Sequence, residues 1–213
     1  MPGIRVWRHV LVLTLLSPFA AQAQGVPRPA EFYFDQDAGV AAPIVAVPEQ
    51  GDAAGAALMR LRERSRRDAD RATAQLAHVA MAAGRTDTGQ ALYRELLGRP
   101  SLNGVSRPAL AWNYGWDLYR SGEVEAALQQ WSELVSGRLV KPAWAPPTLA
   151  LALWRLDRKP EAVRWYAAAV RTEPALWRDP ARLPALLPDW TEADRALLGE
   201  VLAAWSADPP PWP

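Results

Sequence analysis

The sequence predicts an all-α fold of antiparallel helix pairs stacked as a solenoid, with a long N-terminal helix in front and a capping helix behind. Three observations predict it. Small and aromatic residues recur on one ruler: Ala77, Gly84, Gly89, Tyr93; then Gly115, Gly122, Ala127, Trp131; then Ala150, Asp157, Ala162, Tyr166. Each set steps by seven, five and four residues, and a fixed internal period is the signature of a repeat architecture. Glycine and proline punctuate the units where helices should stop and start. The segments flanking the ruler are rich in helix formers at helical spacing.

The chain opens on an address. Arg5, Arg8 and His9 precede the short apolar run Val10 to Leu16, then Pro18 and the small-x-small pattern Ala21-Gln22-Ala23. This predicts a secretory signal peptide over residues 1–23. The run is shorter than the roughly 20 apolar residues a bilayer span needs, so no stable membrane insertion is expected after cleavage. Residues 24–54 hold Pro27, Pro29, Pro43 and Pro48 among Gly, Ala and acidic residues, which predicts a flexible leader. Phe32-Tyr33-Phe34 stands out within it: either the aromatics dock on the helices as an extended strand or they ride in a flexible tail.

Residues 55–206 form the expected helical-repeat domain. Ala56 to Ala83 lacks Pro and Gly and reads as one long helix or two abutting ones, with Leu58, Leu61, Leu76, Val79 and Ala80 on the apolar side. The six arginines between Arg60 and Arg71 alternate with Glu63, Asp68 and Asp70, a solvated, ion-paired face. The middle unit, Pro108 to Val135, shows the logic best. Ser106 and Pro108 offer a capping oxygen and a fixed φ. Gly122 stops the first helix by accepting a left-handed conformation. Gly115 and Ala127 lie where two helices cross closely, and Trp131 fills the space beside them. Past Pro174, three prolines break the chain before Thr191-Glu192-Ala193-Asp194 caps a closing amphipathic helix. Residues 207–213 read as a Pro-rich tail.

These residues resemble the tetratricopeptide repeat (TPR), whose helix–turn–helix unit of roughly 34 residues carries small residues at the crossing and an aromatic four positions after the second. The resemblance covers about Asp70 to Pro174 in three degenerate units. The second half of the third unit, from Glu161 to Pro174, matches best; in its first half Ala150 and Asp157 replace glycines. An ordinary Ala-rich bundle is the alternative. The resemblance implies a concave groove lined by the first helix of each unit. Carried onto this chain, ligand-contacting positions are His78 and Met81; Trp112, Trp116, Tyr119 and Arg120; and Trp144, Leu151, Trp154 and Arg155.

Composition narrows the chemistry. The chain has 24 basic and 23 acidic residues and a formal net charge of +1, leaving no electrostatic case for nucleic acid. It has no cysteine, hence no disulfide, thiol nucleophile or Cys zinc site. His78 is the only histidine beyond the signal segment, with no ligand-spaced partners, and no phosphate loop or nucleophile elbow is present. No catalytic residue, metal or cofactor is therefore expected. Abundant Ala and the excess of Arg over Lys, with the signal segment, point to the periplasm of a Gram-negative cell or to secretion. The expectation is an exported, non-enzymatic scaffold that binds a protein or peptide through an aromatic-lined groove at His78, Trp112, Trp116, Tyr119, Leu151 and Trp154. The alternative is a glycan-binding accessory of polysaccharide export or the cell envelope, because indole faces stack on sugar rings.

Overall fold

The computed structural model describes residues 25–30, 32–49 and 51–211; the expected signal peptide lies outside them. Ten helices occur among the described residues: α1 (Gly51–Arg64), α2 (Ala69–Ala82), α3 (Thr86–Leu97), α4 (Arg107–Arg120), α5 (Val124–Val135), α6 (Ala145–Arg155), α7 (Lys159–Thr172), α8 (Pro174–Trp177), α9 (Leu183–Leu186) and α10 (Glu192–Ala207). They pack as successive pairs, α2 on α3, α4 on α5 and α6 on α7, with α1 against α2 and α10 across α6 and α7. The fold is an all-α array of helix pairs. No described helix is long and apolar enough to cross a membrane.

The ruler has a physical meaning at each step. Its second position is the turn: Gly84, Gly122 and Asp157 have φ of 75°, 93° and 58°. The chain reverses within three residues there, which needs a left-handed residue. Each turn closes on the same bond five residues back: Arg85 N–H to Ala80 O, Glu123 N–H to Leu118 O, and Arg158 N–H to Leu153 O, all 2.9 Å. This capping loop satisfies carbonyls that the helix end leaves open. The fourth position is the aromatic wedge, with Tyr93, Trp131 and Tyr166 all buried. In the middle unit a β-carbon on Gly115 would sit 2.7 Å from Cε2 and 2.8 Å from Cδ1 of Trp131. Only glycine lets that ring lie against the α4 backbone.

Helix starts follow the sequence. Ser106 Oγ accepts from Ala109 N–H at 3.2 Å, and Thr191 Oγ1 from Asp194 N–H at 3.1 Å, the side-chain caps such positions favour. The front segment is two helices rather than one. They break at Ser65–Asp68, where Ser65 Oγ donates to Asp68 Oδ2 at 2.8 Å. The arginine-rich face is ion-paired in part: Arg62 meets Glu95 at 3.9 Å.

Two expectations need correction. The helical domain begins at Gly51, not residue 55, because Gly51 takes a φ of 58° and opens α1 directly. The leader is not a loose tail over its described residues. Tyr33 is 2% exposed and meets Trp165 edge-on at 5.8 Å. Its N–H donates to Thr172 Oγ1 at 3.2 Å. Asp35 forms an isolated bridge with Pro142, and Asp37 accepts from Arg138 at 2.6 Å and from Trp144 Nε1 at 3.0 Å. Phe32 and Phe34 stay exposed and stack at 5.7 Å. Alternate side chains of an extended segment point to opposite faces, so only the central aromatic enters the core.

Candidate functional site

Beyond Asp37 the leader runs back along the array, from the third unit to the first, and crosses the inner faces of α4 and α2. Residues four apart on a helix share a face. On α4 that rule brings together Trp112, Trp116 and Arg120, with Asn113 and Asp117 beside them; on α2 it aligns Gln75 with Val79 and His78 with Ala82. These side chains and Pro43–Glu49 of the leader enclose a cleft of about 630 Å³.

Two amide side chains grip the leader by its main chain. Asn113 Oδ1 accepts from Ile44 N–H at 3.2 Å, and Asn113 Nδ2 donates to Ala42 O at 2.9 Å. Gln75 Oε1 accepts from the N–H groups of Ala46 and Val47 at 2.6 and 2.9 Å, while its Nε2 donates to Val47 O at 2.9 Å. A carboxamide carries both donor and acceptor, so each clamp reads an extended backbone in both senses. Gln75 is buried.

A polar cluster lies at the cleft wall. Asp117, 4% exposed, accepts from Tyr93 Oη at 2.7 Å and pairs with His78 Nδ1 at 2.8 Å. The bond to Asp117 raises the His78 pKa above its ordinary value, against a smaller opposing effect of burial. Burial pushes the Tyr93 phenol well up, and the neighbouring Asp117 adds to the rise. Arg120 stacks over the Trp116 ring, 5.2 Å from its centroid. None of the described residues lining the cleft is Ser, Thr or Cys, and no group of three His, Asp or Glu among the described residues could hold a metal ion. The arrangement is built for contact: amide clamps, an indole wall and a paired charge.

The six expected groove residues divide. His78, Trp112 and Trp116 come together on the cleft. Trp116 is nevertheless 3% exposed, at the hub of an aromatic cluster with Trp131 at 5.0 Å, Trp190 at 5.1 Å, Tyr119 at 5.7 Å and Trp112 at 6.0 Å. The indole N–H groups of Trp112 and Trp116 are buried without an acceptor, which costs about 1–3 kcal/mol each against the gain from this ring packing. Tyr119, Leu151 and Trp154 do not line the cleft. Tyr119 and Leu151 are fully buried. Tyr119 Oη donates to Asp194 Oδ1 at 3.1 Å under the guanidinium of Arg155, and burial pushes its pKa up to about 12. Trp154 donates to Glu200 Oε2 at 3.0 Å beside a separate shallow depression. The cause is α10, which packs on α6 and leaves the third unit no open inner face.

Gln75, Asn113 and Asp117 were not foreseen. A mid-helix Asn between two tryptophans is a weak helix former, and that is the one local sign of Asn113's role. Nothing in the sequence ties Gln75 or Asn113 to residues 42–47. Comparison of the chain with protein-family models, curated proteins and solved structures gives no match, so function is argued from the geometry of the cleft itself.

Proposed function

We propose that this chain is an exported, tetratricopeptide-like adaptor that binds an extended segment of a partner protein across α2 and α4. One observation carries the reading: Gln75 and Asn113 hold five main-chain groups of an extended segment beside an indole-lined cleft. Main-chain hydrogen bonds supply affinity in extended-peptide recognition, and neighbouring pockets supply selectivity. Trp112 and Trp116 provide the apolar wall, and His78 and Arg120 the charged rim.

The test is a peptide-array screen with the full chain, followed by titration of the strongest binders. A Gln75→Ala, Asn113→Ala double variant should weaken binding at least tenfold, about 1.4 kcal/mol, while keeping its helical circular dichroism. Peptide binding that ignores both substitutions would sink the reading. Tryptophan quenching by oligosaccharides, with no peptide bound by the array, would favour the glycan alternative. Export is tested by fractionating cells that express the full chain: recovery of a processed form in the periplasm supports it, and cytoplasmic full-length protein refutes it.

A further inference from the structure

We infer that residues 42–49 are a built-in placeholder, displaced when a partner peptide with a bulkier apolar side chain enters the cleft. The inference rests on the peptide-binding reading above and adds its ligand class and its regulation.

The leader is pinned on both sides of this segment. Upstream stand the buried Tyr33 and the Asp37 contacts to Arg138 and Trp144. Downstream α1 begins at Gly51 and buries Ala54 and Leu58 against Ala72. Between these anchors no side chain of residues 42–49 is fully buried, and Ala42, Pro43, Val45, Pro48 and Glu49 are exposed. The segment is held by the main-chain bonds to Gln75 and Asn113. Any extended peptide offers the same donors and acceptors. The segment's own side chains fill the site poorly: about 630 Å³ stays open between it, Val79, Trp112 and Trp116. Val45 lines that space while 46% exposed. A tethered strand with small side chains is thus a weak occupant at high local concentration. A partner with a large apolar side chain reaches indole surface the leader leaves uncovered. While the strap is seated, the partner's apparent affinity falls by the fraction of molecules with an open cleft.

The probe is a fluorescein-labelled octapeptide of the sequence 42–49 carrying Val45→Trp. It is titrated against the full chain and against a variant in which residues 42–49 are replaced by a Gly-Ser run of equal length. The expected result is at least tenfold tighter binding to the strap variant, abolished there by Gln75→Ala with Asn113→Ala. Equal affinity for both proteins, still dependent on the two amides, overturns the placeholder and leaves the peptide-binding reading standing. Binding to neither protein overturns both. Hydrogen exchange on the unaltered chain provides a second readout independent of the variant's folding. Saturating probe should speed exchange at Ile44, Ala46 and Val47 at least tenfold; unchanged rates with probe bound refute displacement.

Discussion

Gly115→Ala places one methyl group against a ring with no room for it. The new β-carbon would sit 2.7–2.8 Å from ring atoms of Trp131, whereas carbon atoms in contact prefer about 3.5–4.0 Å. The ring or the helix must therefore retreat by roughly 1 Å. Trp131 has nowhere easy to go: it is fully buried, packs on Trp116 at 5.0 Å and donates its N–H to Trp112 O at 3.3 Å. Overpacking of this kind costs about 1–3 kcal/mol, and loss of the indole hydrogen bond adds about 1 kcal/mol. Alanine recovers about 1 kcal/mol over glycine inside a helix. The net is a destabilisation of about 2 kcal/mol, or a Tm lower by roughly 4–8 °C for a chain of this size. Gly199 in α10 is the control, because nothing lies within 4 Å of its would-be β-carbon; Gly199→Ala should stabilise by about 0.5–1 kcal/mol. Urea and thermal unfolding followed by far-ultraviolet circular dichroism measure both. Adding Trp131→Phe to Gly115→Ala should cost less than the sum of the single changes, with a coupling of at least about 0.5 kcal/mol. If Gly115→Ala proves as stable as the parent, the close α4–α5 crossing does not depend on glycine and the steric account of the ruler is wrong.

At the turns, Asp157 holds a φ of 58° where the other two units use glycine, so Gly122→Ala should cost about 1 kcal/mol while Asp157→Gly leaves stability unchanged or raises it; unfolding midpoints decide. The raised pKa of His78 means that its bond to Asp117 contributes fully below about pH 6.5 and is lost as pH rises through the folded-state value. Stability should therefore decline above neutrality, and His78→Gln should flatten that decline in urea midpoints taken across the range; identical profiles would contradict the pairing. Tyr33→Ala removes the buried anchor of the leader, so limited proteolysis should cut before Gly51 at least tenfold faster with the helical core intact. Asn113→Ala alone should speed amide exchange at Ile44 more than at Val47, whose partner is Gln75.

Helix pairing was legible because it depends on local residue size and backbone freedom. Gly122 at a turn, Gly115 at a crossing, Trp131 as a wedge and the Ser106 and Thr191 caps act over fewer than twenty residues, a range that spacing reports directly. The openness of the groove was not legible. Trp116, Tyr119 and Leu151 occupy inner-face positions by register, but α10 and Trp190 arrive from the far end of the chain to cover them, and no local pattern encodes that arrival. The leader misled for the same reason. Its proline content argues against helix, correctly, yet an extended strand can be ordered when side chains such as Gln75 and Asn113 satisfy its backbone. His78 drew notice only as a solitary histidine; its partner Asp117 lies 39 residues away.

The bond from Tyr33 to Thr172 spans 139 residues. A plain stack of repeats gains stability from nearest neighbours, so its ends fray and it can melt piecemeal. Here the first ordered aromatic inserts beside the last full helix pair, and the intervening strand touches the middle unit and the first. The chain is laced end to end, which couples the loss of any unit to the loss of all. Such lacing should merge what would otherwise be stepwise melting into one sharp transition, at the expense of slow assembly, since sequence-distant contacts must close before the last unit is secure.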